Sequence, residues 1–431
     1  MNVLLVTLGS GGDVYPFVAV ARELQRRGHG VRLMTNPKFE ATVTGGGVEF
    51  VPLGKREDYE TAIAHPDLVH HRRSPQHVLK HLVFEPAREM YTAVRRTARQ
   101  MGAEAVVRHH ICFAAGWAAE RERMADVPCV LAPVFWLNWR SPSVFGSIPF
   151  ALPRPLARVR VAVSSLLGRA IIDKPLNVVR RELELPPLRD QFAGNSRGGT
   201  RNLALWSPTL RGALEGDPAQ GVICGAAVYD AGDAGAGASG GVLPEVLERF
   251  VAAGPPPVCF TLGTSVAHHA PEFYHRAAHA VGALKLRAIF VTGPGDASAA
   301  DEIAAGSGGR ILRAGFVPYS ALFPRCASAV HHGGIGTVHA CLAAGIPQLV
   351  VPFANDEFDN AARISRLGCG SGLRATKLSD RALAALLALV TSKRMRQQAA
   401  DIWLRVRREN GARAAADEVE RVAAGREGRE G

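Results

Sequence analysis

With 431 residues the chain has room for two domains of ordinary size, and 47% hydrophobic residues supply a sizeable core, which excludes global disorder. A net charge of +12 favours anionic substrates or surfaces, yet no Lys/Arg-rich run with interleaved aromatics and no zinc-finger spacing accompanies it, so nucleic acid is set aside as a partner. Seven cysteines without a C-x-x-C pair read as reduced, buried thiols of a cytoplasmic protein, and no apolar run reaches the ~20 residues that span a bilayer.

Residues 2–8 form an apolar run with no basic flank and no small-residue cleavage site, which reads as a first strand covered on both faces. Gly9-Ser10-Gly11-Gly12-Asp13 follows, then a helix over 16–27 that stops at Gly28, then a strand over 31–35. This β-α-β opening lacks the third glycine of G-x-G-x-x-G, and Thr35-Asn36-Pro37 stands where an acid would hold a ribose, so no nicotinamide or flavin cofactor is expected. Asp13, at the carboxyl end of strand one, reads locally as a cap for the following helix. Residues 36–125 alternate short strand-like and helical pieces. A His-rich stretch at 65–81 shows no metal-ligand spacing and reads as a solvated or acceptor-side loop, so no metal site is expected.

Strands are expected over 105–108 and 127–132. Phe135, Trp136, Trp139 and Phe145 then crowd into a segment punctuated by Pro and Ser, where core packing and a greasy acceptor pocket explain them equally well. One or two helices over 158–183 and strands over 203–207 and 222–225 complete a first domain, residues 1–229. The Gly- and Ala-rich 230–241 reads as a flexible linker, and 242–431 as the second domain.

That domain opens with a helix over 244–253 and a strand over 257–262 closed by Gly263-Thr264-Ser265. A strand over 286–292 and the segment 311–319 follow. Next come an apolar strand over 327–330, the turn His331-His332-Gly333-Gly334-Ile335-Gly336-Thr337, and a helix that stops at Gly345. The first N–H groups of that helix lack intrahelical partners and carry partial positive charge, and the glycines let an anion approach the backbone, so the turn reads as a phosphate seat. A buried strand over 345–352 is followed by Asp356-Glu357, on the rim where open α/β sheets hold ligands. A diphosphate on one rim and carboxylates for sugar hydroxyls on the next point to a nucleotide sugar; a glycine turn beside two solvated acids is the plain alternative. A charge-rich helix over 396–422 and a frayed end at 425–431 finish the chain.

The pattern H-H-G-G-x-G-T, with P-x-x-x-D-[QE]-x-x-N-A about twenty residues on, resembles the donor signature of family 1 glycosyltransferases and spans residues 331–337 and 352–361. Gly9 to Pro16 likewise resembles the G-[ST]-x-G-D-V-x-P opening of sterol, glycopeptide and rhamnolipid glycosyltransferases. Within that family the chain is most similar to the rhamnosyltransferases of rhamnolipid synthesis, through residues 9–17, 50–53, 290–293, 330–336, 356–363 and 366–370. The resemblance implies an α/β fold of two Rossmann-like domains facing each other across a cleft (GT-B), the C-terminal helix crossing back to the first domain. It implies an inverting, metal-independent transfer from an NDP-sugar, dTDP- or UDP-linked, to a hydroxyl of a hydrophobic, lipid-like acceptor.

Residue by residue, it makes Asp13 the catalytic base and puts Gly12, Thr264, Ser265, His332, Gly334, Gly336 and Thr337 at the donor, with Phe316 and Val317 at the nucleobase. Asp356 and Glu357 fall on the sugar; many members carry Gln at the second of these positions. Trp136, Trp139 and Phe145 are the acceptor-side candidates, and a deoxysugar such as rhamnose is the implied cargo. A natural-product (polyketide or sterol) transferase, a GT-B-fold epimerase and a non-catalytic helper subunit are the other readings, and peripheral contact with an anionic membrane is compatible with the charge.

Overall fold

The computed structural model describes residues 1–141, 154–191, 199–230, 242–266, 271–292 and 298–430. The chain divides into two units, one formed by Met1–Ile63, Pro75–Tyr229 and Asn410–Gly431, the other by Ala64–Ser74 and Asp230–Glu409. Each is built on a wholly parallel sheet. In the first, β1 (Asn2–Val6), β2 (Gly30–Thr35), β3 (Glu49–Pro52), β4 (Ala105–His109), β5 (Ala125–Val130), β6 (Asn202–Ala204) and β7 (Gly221–Ile223) lie in the order β3-β2-β1-β4-β5-β6-β7. In the second, β8 (Val258–Thr261), β9 (Ala288–Val291), β10 (Ile311–Ala314), β11 (Ser328–His331), β12 (Gln348–Val350) and β13 (Gly370–Gly372) lie in the order β10-β9-β8-β11-β12-β13.

The apolar runs of the sequence are strands buried on both faces. Val258, Phe260 and Leu262 enter one core with Phe290 and Val330, while Cys259, Ile289 and Ala329 enter another with Phe323 and Cys341. Side chains alternate between faces along a strand, so both sets must be apolar. All seven cysteines are buried free thiols. Among the described residues no helix is long and apolar enough to cross a membrane.

Three elements differ from the sequence reading. The first helix is Gly11–Arg26, not 16–27: Ser10 stands at its N-cap in extended conformation and Asp13 at N3, a reciprocal capping pair that starts the helix ahead of Pro16. The His-rich stretch is short helical turns, Pro66–Val69, Ser74–Val78 and Leu79–Phe84. Its 64–74 part joins the second unit, where Val69 packs on the core and Asn355 Nδ2 donates to Ser74 Oγ at 3.0 Å. The tail is two helices, Lys393–Val406 and Gly411–Glu430, so 425–430 are helical rather than frayed. Apart from Asp230, whose carboxylate accepts the Ser320 N–H, the linker 230–241 lies outside the described residues.

The last helix packs on Gly11–Arg26, as the crossing-back expectation required. Arg27 reaches Asp417 and Glu420 at 2.7 and 2.8 Å, and His29 reaches Glu420 at 2.8 Å. Its entry depends on Gly411, whose N–H donates to the Ala226 carbonyl at 3.2 Å. A methyl at Gly411 would lie 2.3 Å from the Gly225 oxygen and 2.4 Å from the Ala226 carbonyl carbon, backbone atoms that cannot rotate aside. Gly411→Ala is therefore expected to destabilise the first unit by about 1–3 kcal/mol. Gly282→Ala, in a helix and with nothing within 4 Å of the added methyl, should stabilise by about 0.5–1 kcal/mol. Denaturant titration of the two variants beside the parent checks both signs.

Candidate functional site

In each sheet the strand order reverses between two neighbours, β1 and β4 in the first, β8 and β11 in the second. Loops leave such a pair in opposite directions, which opens a crevice at the carboxyl ends of the strands where ligands bind. Asp13 lies at the first of these places, and His332, Gly334 and Gly336 at the second.

At the first, Gly9 turns the chain out of β1 with φ +132°. A methyl there would lie 2.3 Å from Asp13 Oδ2, so only glycine leaves room for the carboxylate. Oδ2 accepts the Ser10 N–H at 2.7 Å and the Ser10 hydroxyl at 3.1 Å. Oδ1 faces His109 Nε2 at 3.5 Å, and about a third of the Asp13 side chain (32%) stays open to solvent. Burial raises the Asp13 carboxyl to about 6, more than the two Ser10 bonds lower it. The acid is thus ionised near neutrality yet basic enough to matter.

His109, the last residue of β4 and 3% exposed, was not singled out by the sequence. Burial first, then the nearby His110 and Arg108, hold its imidazole well below its usual range, so the ring is neutral. The Ile111 N–H points at its Nδ1 at 3.5 Å, which puts the ring proton on Nε2, toward Asp13. A neutral ring that presents N–H can orient a carboxylate; the proton acceptor of the pair is Asp13. The signal in the sequence was a histidine closing an apolar strand, but its partner is set by strand order.

At the second place the two histidines separate in role. His331 is wholly buried; its Nε2 meets Gln348 Oε1 at 3.0 Å and its Nδ1 accepts the Gly333 N–H at 3.1 Å, which fixes the turn. His332 leans over Gly263 and Gly334, whose added methyls would approach its ring to 2.6 and 2.5 Å. Its Nδ1 is buried without a hydrogen-bond partner among the described residues, and burial holds the ring neutral, down to about 3. Gly334 is the N-cap of Ile335–Ala344, and Gly345 ends that helix in the left-handed conformation, as expected. Thr337 is buried in the first turn, whereas a methyl on Gly336 would meet nothing within 4 Å. Gly336 itself is exposed, so the turn is open to solvent on that side.

Asn360 ties this turn to the next rim: its Nδ2 donates to the Gly333 carbonyl at 2.9 Å and to Asp356 Oδ2 at 2.8 Å. Glu357 points the other way. Its Oε2 accepts the N–H groups of Phe353 and Ala354 at 2.6 and 2.9 Å, and burial, outweighing those bonds, raises it to about 8.

Thr264 and Ser265 fall in the short helix Gly263–Val266 after β8; their side chains lie outside the described ones. Phe316, beyond β10, is 51% exposed, so it is not core. The Val317 side chain is buried, leaving only its main chain to meet a ligand. β10 and β11 are three strand spacings apart, about 14 Å. Tyr319 is structural: it stacks on Phe323 and bonds Thr261 Oγ1 at 2.9 Å. On the acceptor side, Trp136 proves to be core, 3% exposed and edge-on to Trp206 at 4.9 Å. Trp139 is half-buried beneath the guanidinium groups of Arg140 and Arg158, each 4.5 Å from the ring centre. Phe145 lies outside the described residues.

Comparison with known proteins agrees with this arrangement. Residues 3–119 match the glycosyltransferase family 28 N-terminal domain, and 296–424 match the erythromycin biosynthesis protein CIII-like C-terminal domain. An uncharacterized glycosyltransferase of Mycobacterium leprae is 28% identical over 432 residues, 97% of this chain and 96% of its own. A sterol 3-beta-glucosyltransferase of Arabidopsis thaliana is 25% identical over 388 residues, 86% of this chain and 57% of that enzyme. The crystal structure of the glycosyltransferase VinC, in complex with dTDP, has a TM-score of 0.65 at 21% identity and covers 98% of this chain and all of its own, a likeness of fold.

The raised Glu357 makes a test independent of any ligand. Its folded value, about 8, lies above its ordinary 4.5. The stability it lends is then complete below the unfolded value and is lost as pH rises through the folded one. Gln in its place keeps the two N–H contacts and removes the titration. Between about pH 5 and about pH 9 the parent is expected to lose denaturant resistance relative to Glu357→Gln; parallel pH curves would show that the carboxyl is not held protonated.

Proposed function

We propose that this chain, a glycosyltransferase of the GT-B fold, takes its sugar from a dTDP-linked donor and transfers it with inversion to a hydroxyl of a hydrophobic acceptor. The observation that carries the reading is Asp13, a carboxyl tuned to about 6 whose Oδ2 is fixed by Ser10 while Oδ1 stays available beside His109. Oδ1 accepts the acceptor proton as the hydroxyl oxygen attacks the anomeric carbon. The C–O bond to the diphosphate breaks on the opposite face, and its electron pair leaves with the phosphate. Negative charge growing there is met by the N–H groups that open Ile335–Ala344 and by a hydrogen bond from His332. His109 acts through Asp13, holding its carboxylate toward the acceptor, and is a positioning residue.

Several features support the donor reading. The exposed ring of Phe316 suits a stacked base, and the span from β10 to β11 suits a nucleoside diphosphate laid along the rim. The solved relative VinC holds dTDP. Asp356, pinned by Asn360, would take the sugar hydroxyls; Glu357, turned to the backbone, would shape that pocket from behind. For the acceptor, the resemblance to rhamnolipid enzymes favours a deoxysugar such as rhamnose passed to a hydroxylated lipid, and the sterol enzyme among the relatives favours an apolar alcohol. The erythromycin-type match over 296–424 lies in the donor half and favours a natural-product sugar, and a polyketide acceptor is the second reading.

Asp13→Asn should lower turnover by about 10²–10⁴-fold, while saturating donor still raises stability by about 2.7 kcal/mol at one hundred times its Kd. Sugar-transfer assays by mass spectrometry with dTDP- and UDP-sugars, paired with donor thermal shifts, read both. In the parent, turnover should rise with pH through about 6 as Asp13 ionises. Loss of the thermal shift with turnover intact would sink the assignment.

Gly336→Ala tests the other crevice. The methyl meets no protein atom, so the fold should be as stable or more so. It would stand where the diphosphate must approach, so the donor shift should vanish; a retained shift would move the donor elsewhere.

A further inference from the structure

We propose that the helix Arg154–Gly168 and the turn after it dock this protein onto an anionic lipid bilayer. Large apolar side chains left exposed are concentrated here: of fourteen among the described residues, eight lie between positions 156 and 188. Leu156, Val159, Val163, Leu166, Leu167 and Ile171 are 47–59% exposed. Their spacing of three and four sets them along one side of the helix. Ala157 and Ile172 are buried beneath it, and Leu176 and Val179 beyond enter the core of the first unit, so the apolar side is presented by a moored element.

Charge selects the occupant. Between positions 154 and 172 the sequence has four arginines and no acid. Arg158 is exposed with its guanidinium over the half-buried Trp139, and Lys174 follows exposed; Arg169 is held by Asp190. An apolar stripe flanked by cations, with an indole alongside, suits the boundary between headgroups and acyl chains, where such helices lie about 5–10 Å deep. A second copy is a poor occupant, because a two-fold contact through this stripe would set arginines against arginines. The chain's net charge of +12 adds long-range attraction to an anionic surface. Docking goes beyond the transferase reading, since it needs neither donor nor turnover.

Flotation with vesicles of phosphatidylcholine alone, or with phosphatidylglycerol at about a third of the lipid, tests the full chain. The parent is expected to float with the anionic vesicles at low salt, to lose most of that binding at high salt, and to ignore the neutral ones. Val163→Glu and Leu166→Glu change exposed side chains and should keep the parent's circular dichroism and melting point while weakening flotation at least tenfold. Leu404→Glu, at an equally exposed residue of another helix, should float like the parent. Failure of the parent to float, or equal flotation by Val163→Glu and Leu166→Glu, would overturn the proposal. Concentration-dependent dimers broken by those two substitutions, without vesicle binding, would assign the stripe to a second copy instead.

Discussion

The bond between the Ser10 N–H and the Asp13 carboxylate is the contact on which the first crevice depends. A helix that starts on a glycine turn has four N–H groups without partners, and a carboxylate at N3 satisfies one of them by reaching back to the N-cap. A cap and a base are rival roles for Asp13 when only the sequence is considered. The geometry removes the rivalry, because a carboxylate has two oxygens: Oδ2 is consumed by the helix, and Oδ1 is left over in a defined direction. The use of Oδ2 also stops the side chain from rotating. Gly9 belongs to the same arrangement, since any side chain there would occupy the space of the carboxylate.

The second crevice is stiffened by different chemistry. No side-chain cap starts Ile335–Ala344, and Gly334 at its N-cap offers none. The turn is instead held from below by His331, from the side by Asn360, and by the lack of room for a side chain at Gly333, where a methyl would lie 2.6 Å from Val350 Cγ1. These supports are uncharged, because burial keeps His331 neutral as well. A neutral frame leaves the helix N-terminus as the local source of positive potential, which is what an anionic leaving group would feel. Natural caps would have competed with that anion for the same N–H groups.

Much of this was legible in the sequence for local reasons. The strands announce themselves as apolar runs, Gly345 and Gly28 stop their helices, and the glycines at 333, 334 and 336 mark a turn that approaches something closely. What was not legible depends on strand order. His109 is only a histidine closing an apolar run until β4 takes its place beside β1. Trp136 could not be divided between core and pocket without knowing that β6 would bring Trp206 against it. Pro16 marks a helix start in the sequence, a position proline favours, but the Ser10–Asp13 pair starts the turn ahead of it. Rim position and resemblance together put Glu357 on the sugar, and only the backbone path of 353–354 shows that its Oε2 goes to main-chain N–H groups.

The tail shows how one backbone constraint connects these levels. Unit one is discontinuous in sequence, and the helix Gly411–Glu430 that completes it is the last element of the chain. Its cover over Gly11–Arg26 is made through contacts of very large sequence separation, a pattern that slows folding. The helix it covers is the one whose first turn carries Asp13. Arg27 and His29, at the far end of that helix, are the ionic partners of the tail, while the end that carries Asp13 is fixed by Ser10 and Gly9. The two ends are thus stabilised separately, and weakening the tail should loosen the fold at Arg27 before it disturbs the carboxylate. Asp13 can stay oriented because its restraints are all within three or four residues of itself, apart from His109, which the sheet holds in place.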